Sequence, residues 1–513
     1  MSQYIPTELG TKSIRRLLFE YAVPAIIAMT AASLYNIVDS IFIGHIGPNG
    51  AWGNSDGMAI SGLALTFPLM NISIALGAMV GVGASTVISV RLGQREYDTA
   101  QHVLGNTVVL NIVLGAIFMA VCLYWLDPIL ALFGASEATL PYARDYMTVI
   151  LLGNVISHSY FGLNAVLRSA GHPEKAMYCT ILTVVINALL DPLFIFNFNF
   201  PLGFAAWRGQ ELSTFNFQLG LGWGIKGAAT ATILSQLISL IWQFKLLSNK
   251  NEMLHLHRGI YGLRPRIIRQ IIAVGMSPFL MNLCACLVVL IINKSMKQYG
   301  GDTAIAAYGI VNRVVFLFIM MVMGLNQGMQ PIVGYNWGAR QNDRVWQTLR
   351  LTILCAEVVV ITGFIMGEFF PNTLTHLFTD NLPIIAMADR GFRIDVMMFP
   401  FVGIQMVIGN FFQSIGHAGK SIFQSITRQM LFLIPGLILL PPYFGLDGVW
   451  LAIPVSDMLS FFVSTGMLWW LIRKVNAPSP ILPQGGGEDT PKGKFSAKVN
   501  TPSTRGGNGE GGR

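Results

Sequence analysis

The sequence predicts an all-α polytopic membrane protein of twelve transmembrane helices, arranged as two pseudo-symmetric six-helix bundles. Three observations carry this: a composition too apolar for water, a succession of long uncharged runs, and an internal repeat. Of 513 residues, 53% are hydrophobic and 11% charged, against roughly 25% charged in an average soluble domain. Runs such as Val103 to Trp125, Met147 to Leu167, Thr352 to Met366 and Met397 to Phe412 carry almost no charge and approach the roughly 20 residues that cross a hydrocarbon core. Gly77, Gly81 and Gly83 lie inside such a run, where small residues let membrane helices approach closely.

Taken in order, the expected spans are 17–45, 58–90, 100–125, 140–168, 175–197 and 224–247 in the first half. The second half gives 266–294, 303–335, 346–370, 386–415, 420–443 and 446–473. Residues 1–16 form an amino-terminal segment, 17–247 an N-lobe, 248–265 a linker, 266–473 a C-lobe and 474–513 a tail. The tail is rich in Gly, Pro, Ser and Lys, with little to bury, and is expected to be disordered. An even number of spans puts both termini on one side. Lys12, Arg15, Arg16, Arg91, Arg95, Arg168, Lys175, Arg340 and Arg344 fall on that side, as does the cluster from Lys245 to Arg269. By the positive-inside rule both termini are cytoplasmic. No signal-peptide pattern precedes the first span.

The net charge of +8 does not point to nucleic acid, because the basic residues sit in short loops rather than on one face. Cys122, Cys179, Cys284, Cys286 and Cys355 are scattered through apolar segments, where cysteine behaves as a small hydrophobe; no metal site is expected from them. Gly81-Val-Gly83 and Gly220-Leu-Gly222-Trp-Gly224 are not placed between a strand and a helix, and no phosphate-binding lysine motif follows. ATP-driven transport is therefore not expected, and no cofactor is.

The repeat holds one register over a long distance. GASTVISVRLGQR from Gly83 matches GMQPIVGYNWGAR from Gly328, and Arg168 to Lys175 matches Gln413 to Lys420, both at an offset of 245 residues. Near the start, Pro24 matches Pro278 at an offset of 254, because the loop from Pro48 to Gly57 is longer than its counterpart. Six helices per repeat relate the halves by an axis along the membrane normal.

Ionisable groups at bilayer depth cost roughly 2.5–3.5 kcal/mol on insertion scales, so each is a functional candidate. Asp39 lies in the first span, three residues after Asn36; Asp191 lies in the fifth, one turn after Asn187. Each pairing presents an amide and a carboxylate on one helix face, together a polar pocket able to hold H+ or Na+. Pro192, directly after Asp191, removes a backbone donor and can kink the helix; Pro24 is a second candidate hinge. The alternative for both acids is a structural one, pinning helices or meeting water at a helix end. The repeat places Asn293 opposite Asp39 and Gly436 opposite Asp191, so this carboxylate pair belongs to the first half only, and ion coupling is expected there. Glu20, Lys294, Arg313, Glu357, Asp395, Arg428 and Asp457 are further charges within or beside spans, several of them able to snorkel. His158 reads as a packing histidine. Methionines and phenylalanines of the eighth span, Met320, Met321, Met323, Met329, Phe316 and Phe318, suit an adaptable pocket and equally well ordinary packing.

DSIFIGHIG closing the first span, GVGASTVISVRLGQ closing the second, LRSAGHP after the fourth, NALLDPLFIF in the fifth and GIKGAATATILSQ opening the sixth together resemble multidrug and toxic compound extrusion (MATE) transporters, over roughly residues 12–474. The sequence is similar to their DinF-like bacterial branch. The resemblance implies an ion-responsive site formed by Asp39, Asn187 and Asp191, with Tyr146 and Asn164 of the fourth span joining the cavity and Thr230 of the sixth more loosely placed. It implies export of hydrophobic organic cations or other toxic compounds in exchange for H+, with Na+ open at Asp39, Asn187 and Asp191, by a monomer in the bacterial inner membrane. The acidic pair that the NorM-like branch carries in its seventh and tenth helices is missing, since Pro278 to Ile292 has no acid and Asp395 comes early. A lipid-linked precursor flippase is the main rival, disfavoured by sparse central arginine. A membrane-embedded enzyme is the second; His172 and His417, its nearest candidates, are repeat equivalents in matching loops and read as turn residues.

Overall fold

The computed structural model of the chain describes residues 7–46, 58–202 and 215–476. Helices dominate: α1 (Glu8–Thr11), α2 (Ile14–Gly44), α3 (Met58–Gly93), α4 (Tyr97–Tyr124), α5 (Leu126–Leu132), α6 (Leu140–Leu152), α7 (Asn154–Ser169) and α8 (Pro173–Ile195) lead to a two-stranded hairpin. Its antiparallel strands, β1 (Phe198–Leu202) and β2 (Phe215–Leu219), pair Phe198 with Leu219. Beyond it come α9 (Ile225–Leu247), α10 (Pro265–Gly338), α11 (Asn342–Phe369), α12 (Pro371–His376), α13 (Leu382–Val396), α14 (Phe399–Ser414), α15 (Ala418–Ile426), α16 (Ile434–Leu439), α17 (Pro441–Phe444) and α18 (Leu446–Asn476). The expected all-α chain thus carries one short hairpin between its fifth and sixth spans.

Nine described helices are long and apolar enough to cross a bilayer, and two bent pairs add one span each. A straight α10 of 74 residues would run to about 110 Å at 1.5 Å per residue. Its path instead breaks at Gly301, where φ is 69° and ψ −162°, so it supplies the seventh and eighth spans and brings the total to twelve. The fourth span bends by 56° between α6 and α7, and the tenth by 53° between α13 and α14. Neither bend was expected. They occur at Gly153 and at Met397-Met398, repeat-equivalent places, so the geometry repeats even where the residue does not. The eleventh span widens into a π-helical turn, Thr427–Leu433. The last span runs on to Asn476, past the expected start of the tail; residues 477–513 lie outside the described residues, as do Pro48 to Gly57.

The two halves share backbone details that composition alone does not dictate. Arg95 and Arg340 have φ of 62° and 58° at the 245-residue offset. Gly224 and Gly445, which open the sixth and twelfth spans, have φ/ψ of 56°/−131° and 59°/−134°, a region glycine enters without steric cost. His172 and His417 each stand at the amino-terminal cap of the next helix, α8 and α15, in keeping with a turn role; His172 also lies 2.9 Å from Glu252.

Each half has its own apolar core. Ile43, Leu69, Met147, Leu151, Phe196 and Ala229 belong to the first; Ile292, Ala307, Phe392, Leu437, Val449 and Trp450 belong to the second. The halves meet where α2 and α3 pack on α10, and glycines set how closely. A Cβ at Gly93 would stand 2.0 Å from the Tyr335 carbonyl oxygen, and one at Gly338 would stand 2.1 Å from that of Val90. Val90 and Tyr335 are themselves repeat equivalents, so this crossing is reciprocal. Gln330 donates across the same interface to Thr86 Oγ1 at 2.7 Å.

The amino-terminal segment is fastened to the second half. Arg344 Nη2 donates to the carbonyls of Leu9 (3.0 Å) and Lys12 (2.7 Å), and Asn336 Nδ2 donates to Leu9 (3.0 Å). Leu9 is fully buried. Glu8 and Glu20 bracket Lys12 at 2.6 and 3.3 Å, and their hydrogen bonds and charge hold its ammonium pKa above the ordinary range.

Candidate ion-coupling site

Asp39 is placed by α2 and Asp191 by α8, two helices packed along one another. Both acids are buried, as is Asn187. Asn187 Nδ2 donates to Asp191 Oδ1 at 3.1 Å and to Thr232 Oγ1 of α9 at 3.4 Å. Thr232 in turn donates to the carbonyl of Ala228 at 3.1 Å. Asp191 lies within electrostatic reach of Asp39. Three oxygens of this group, Asp39 Oδ1, Asn187 Oδ1 and Asp191 Oδ2, are buried without a hydrogen-bond partner. Most buried polar atoms are partnered, so three orphan acceptors in one place leave room for a proton or a small cation.

The other expected members fall differently. Tyr146 is buried in the apolar cluster with Ile43, Ile195 and Ala228, each one turn away along its helix from Asp39, Asp191 and Thr232 respectively. Asn164 is not brought to the acids: it donates to Ala176 O at 2.9 Å and Thr180 Oγ1 at 3.3 Å, and accepts from Arg168. Those α8 residues precede Asp191 by about three turns or more at 3.6 residues per turn. Thr230 is also turned away, donating to the carbonyl of Lys226 at 2.8 Å. Its place is taken by Thr232, two residues on and therefore across the helix. The signal was available in the sequence: Ala228, Thr232, Ser235, Ser239 and Gln243 form a small and polar stripe at helical spacing, all of it buried. The Asn36 side chain lies outside the described residues. Helices α2 and α8 continue through Pro24 and Pro192 without a break.

His158 packs as expected. Its Nε2 is 3.3 Å from Ser73 Oγ, which donates to Asn154, and Gly77 lies against its ring.

The second half holds a polar centre of its own, built from three of the further charges that the sequence places within or beside its spans. Arg428, carried on the π-helical turn, donates from Nε to Asp457 Oδ1 of α18 at 2.7 Å. Asp395 of α13 is within electrostatic reach of both, and its buried Oδ1 has no hydrogen-bond partner. Repeat alignment missed this group because none of its members sits at the position of Asp39 or Asp191. An internal counter-charge makes such burial tolerable. Lys294 and Arg313, by contrast, are exposed. Among the described residues no group of three His, Cys, Asp or Glu side chains is arranged to hold a metal ion.

A family model, MatE, matches residues 24–193 and 278–438, one segment in each half. The multidrug export protein MepA of Staphylococcus haemolyticus is 26% identical over 463 residues, covering 90% of this chain and 95% of its own. A solved structure of the MATE multidrug transporter DinF-BH with a bound ligand is 33% identical, with a TM-score of 0.78 over 90% of this chain and 96% of that one. An outward-facing multidrug resistance MATE transporter shares the fold, with a TM-score of 0.79 at 24% identity, over 92% of this chain and 98% of that one.

Proposed function

This chain belongs to the MATE family, and from that membership together with the buried acid pair we propose that it exports hydrophobic organic cations and other toxic compounds in exchange for protons. It does so from a bacterial inner membrane, with both termini in the cytoplasm. The observation that carries the exchange is the Asp39, Asn187 and Asp191 group with its three orphan oxygens. Two acids in a low-dielectric bundle cannot both stay charged cheaply. A proton removes one charge, and the amide and hydroxyl of Asn187 and Thr232 orient what remains. Two carboxylates within electrostatic reach of one another hold a shared proton readily; the same oxygens, with those of Asn187 and Thr232, would also serve Na+, and the gradient applied tells the two ions apart.

Exchange requires the ion and the substrate to prefer different states of the transporter. Helices α2 and α8 supply the coupling, because Asp39 and Asp191 lie on their shared face: loading the acids changes the charge between the two helices, and with it their packing. The lobes then rock about the interface of α2, α3 and α10, opening the cavity to alternate sides.

Reconstituted protein with an imposed proton gradient and no sodium tests this. Wild type expels a fluorescent organic cation, while Asp39→Asn and Asp191→Asn, inserted to equal density, lose gradient-driven efflux. Full efflux in both variants would falsify the assignment. Efflux that follows a sodium gradient at clamped pH would replace the proton with Na+.

A further inference from the structure

The acid pair does not use every ionisable group at bilayer depth. Glu357 sits near the middle of α11, 15 residues after Asn342 and 12 before Phe369, about 20 Å from either end at 1.5 Å per residue. It stands at the edge of the helix face turned to the hydrocarbon. Leu354, one turn before it, is 62% exposed and Ile361, one turn after it, 41%, with Val358 beside them at 62%. The other flank meets α14. There Gly403 leaves a notch: a Cβ at that position would stand 2.5 Å from Glu357 Oε1. Oε1 is buried in the notch with no hydrogen-bond partner, and the Ile404 backbone amide approaches the carboxylate. The repeat equivalent of Glu357 is Ile112, so twofold packing does not require an acid here.

We propose that Glu357 and the Gly403 notch form a membrane-facing docking site for a lipophilic organic cation dissolved in the bilayer. An isolated carboxylate at this depth is costly, so the group waits in its neutral form or pairs with a cation. Water and soluble ions do not reach the hydrocarbon, whereas a cation with a large apolar body concentrates there. Leu354, Val358 and Ile361 receive the apolar body, and the carboxylate receives the charge as its proton is released. The notch between the ninth and tenth spans then gathers substrate from the bilayer at a place separate from the ion site in the first lobe. Only the ligand class rests on the export reading.

Labelling with dicyclohexylcarbodiimide in proteoliposomes without any gradient tests the site. The neutral carboxyl adds its proton to a reagent nitrogen and its oxygen to the central carbon, and the acyl group then migrates to nitrogen. Nothing leaves, so the peptide containing Glu357 gains the full mass of the reagent. Wild type is expected to label at Glu357, and Glu357→Gln, which keeps the neutral shape, is not. Tetraphenylphosphonium at ten times its dissociation constant should slow that labelling about tenfold by mass action. Gly403→Ala, which fills the notch, should label but lose the protection. Absence of label on Glu357 would show that the bilayer does not reach it, and labelling indifferent to tetraphenylphosphonium would show a silent buried acid; either overturns the proposal. Because no transport is measured, the result stands apart from the fate of the acid pair.

Discussion

The crossing of Gly93 and Gly338 offers a direct test of rocking lobes. Replacing Gly338 by Ala puts a methyl 2.1 Å from the Val90 carbonyl, and Gly93→Ala puts one 2.0 Å from that of Tyr335. An ordinary carbon-to-oxygen contact is about 3.3 Å, so the second and eighth spans must part by about 1 Å where they end on the basic-loop side. Overpacking of this kind costs about 1–3 kcal/mol, and it is felt only while that side is closed. The equilibrium should therefore shift by about 5- to 150-fold toward the state open there. Gly309→Ala is the control, since nothing lies within 4 Å of its added methyl. Spin labels at the exposed positions Glu174 and Asn342 would report the separation of the two halves by pulsed dipolar spectroscopy. A longer-distance population should grow in Gly338→Ala and Gly93→Ala but not in Gly309→Ala. Unchanged distance distributions in both variants would refute the idea that this contact belongs to one of two states.

Three further outcomes are expected. Thr232→Val removes a hydrogen-bond partner of Asn187 and should alter the pH dependence of substrate binding, measured by fluorescence titration, while Thr230→Val leaves it as in wild type; equal behaviour would place both threonines outside the site. Asp457→Asn takes away the carboxylate that accepts from Arg428, leaving Asp395 as its counter-charge, and should lower stability by about 1.5–3 kcal/mol, read as a loss of thermal stability in detergent; Arg428→Met with Asp457→Leu should recover most of it, and a double variant no better than the single one would count against an ion pair at this centre. Arg344→Ala frees the carbonyls of Leu9 and Lys12 from hydrogen bonds to a charged donor, each worth about 1.5–3 kcal/mol. Hydrogen exchange over residues 8–17 should then quicken, and protection equal to wild type would mean that Leu9 burial and the Asn336 hydrogen bond hold the segment without Arg344.

Much of this protein is legible in its amino-acid order because the bilayer leaves few choices. Every backbone group at depth must be paired within its own segment, so long uncharged runs become spans, and matching runs in one register become matching lobes. The same economy singled out Asp39 and Asp191, since a costly charge is noticeable wherever it falls. Direction and partnership were decided elsewhere. Helix period places Thr232 rather than Thr230 beside Asn187, but only the packing of α8 on α9 shows which side of the sixth span matters. Asn164 shares a span with Tyr146, yet it lies beyond the bend at Gly153 and meets α8 at Ala176 and Thr180, three turns or more from Asp191. Arg428 and Asp457 stand 29 residues apart with no motif linking them, and a π-helical turn in the eleventh span helps bring them to one centre beside Asp395. One-dimensional spacing fixes which groups share a helix face; distances between helices depend on bends, crossings and notches, and those arise only when whole faces are fitted together.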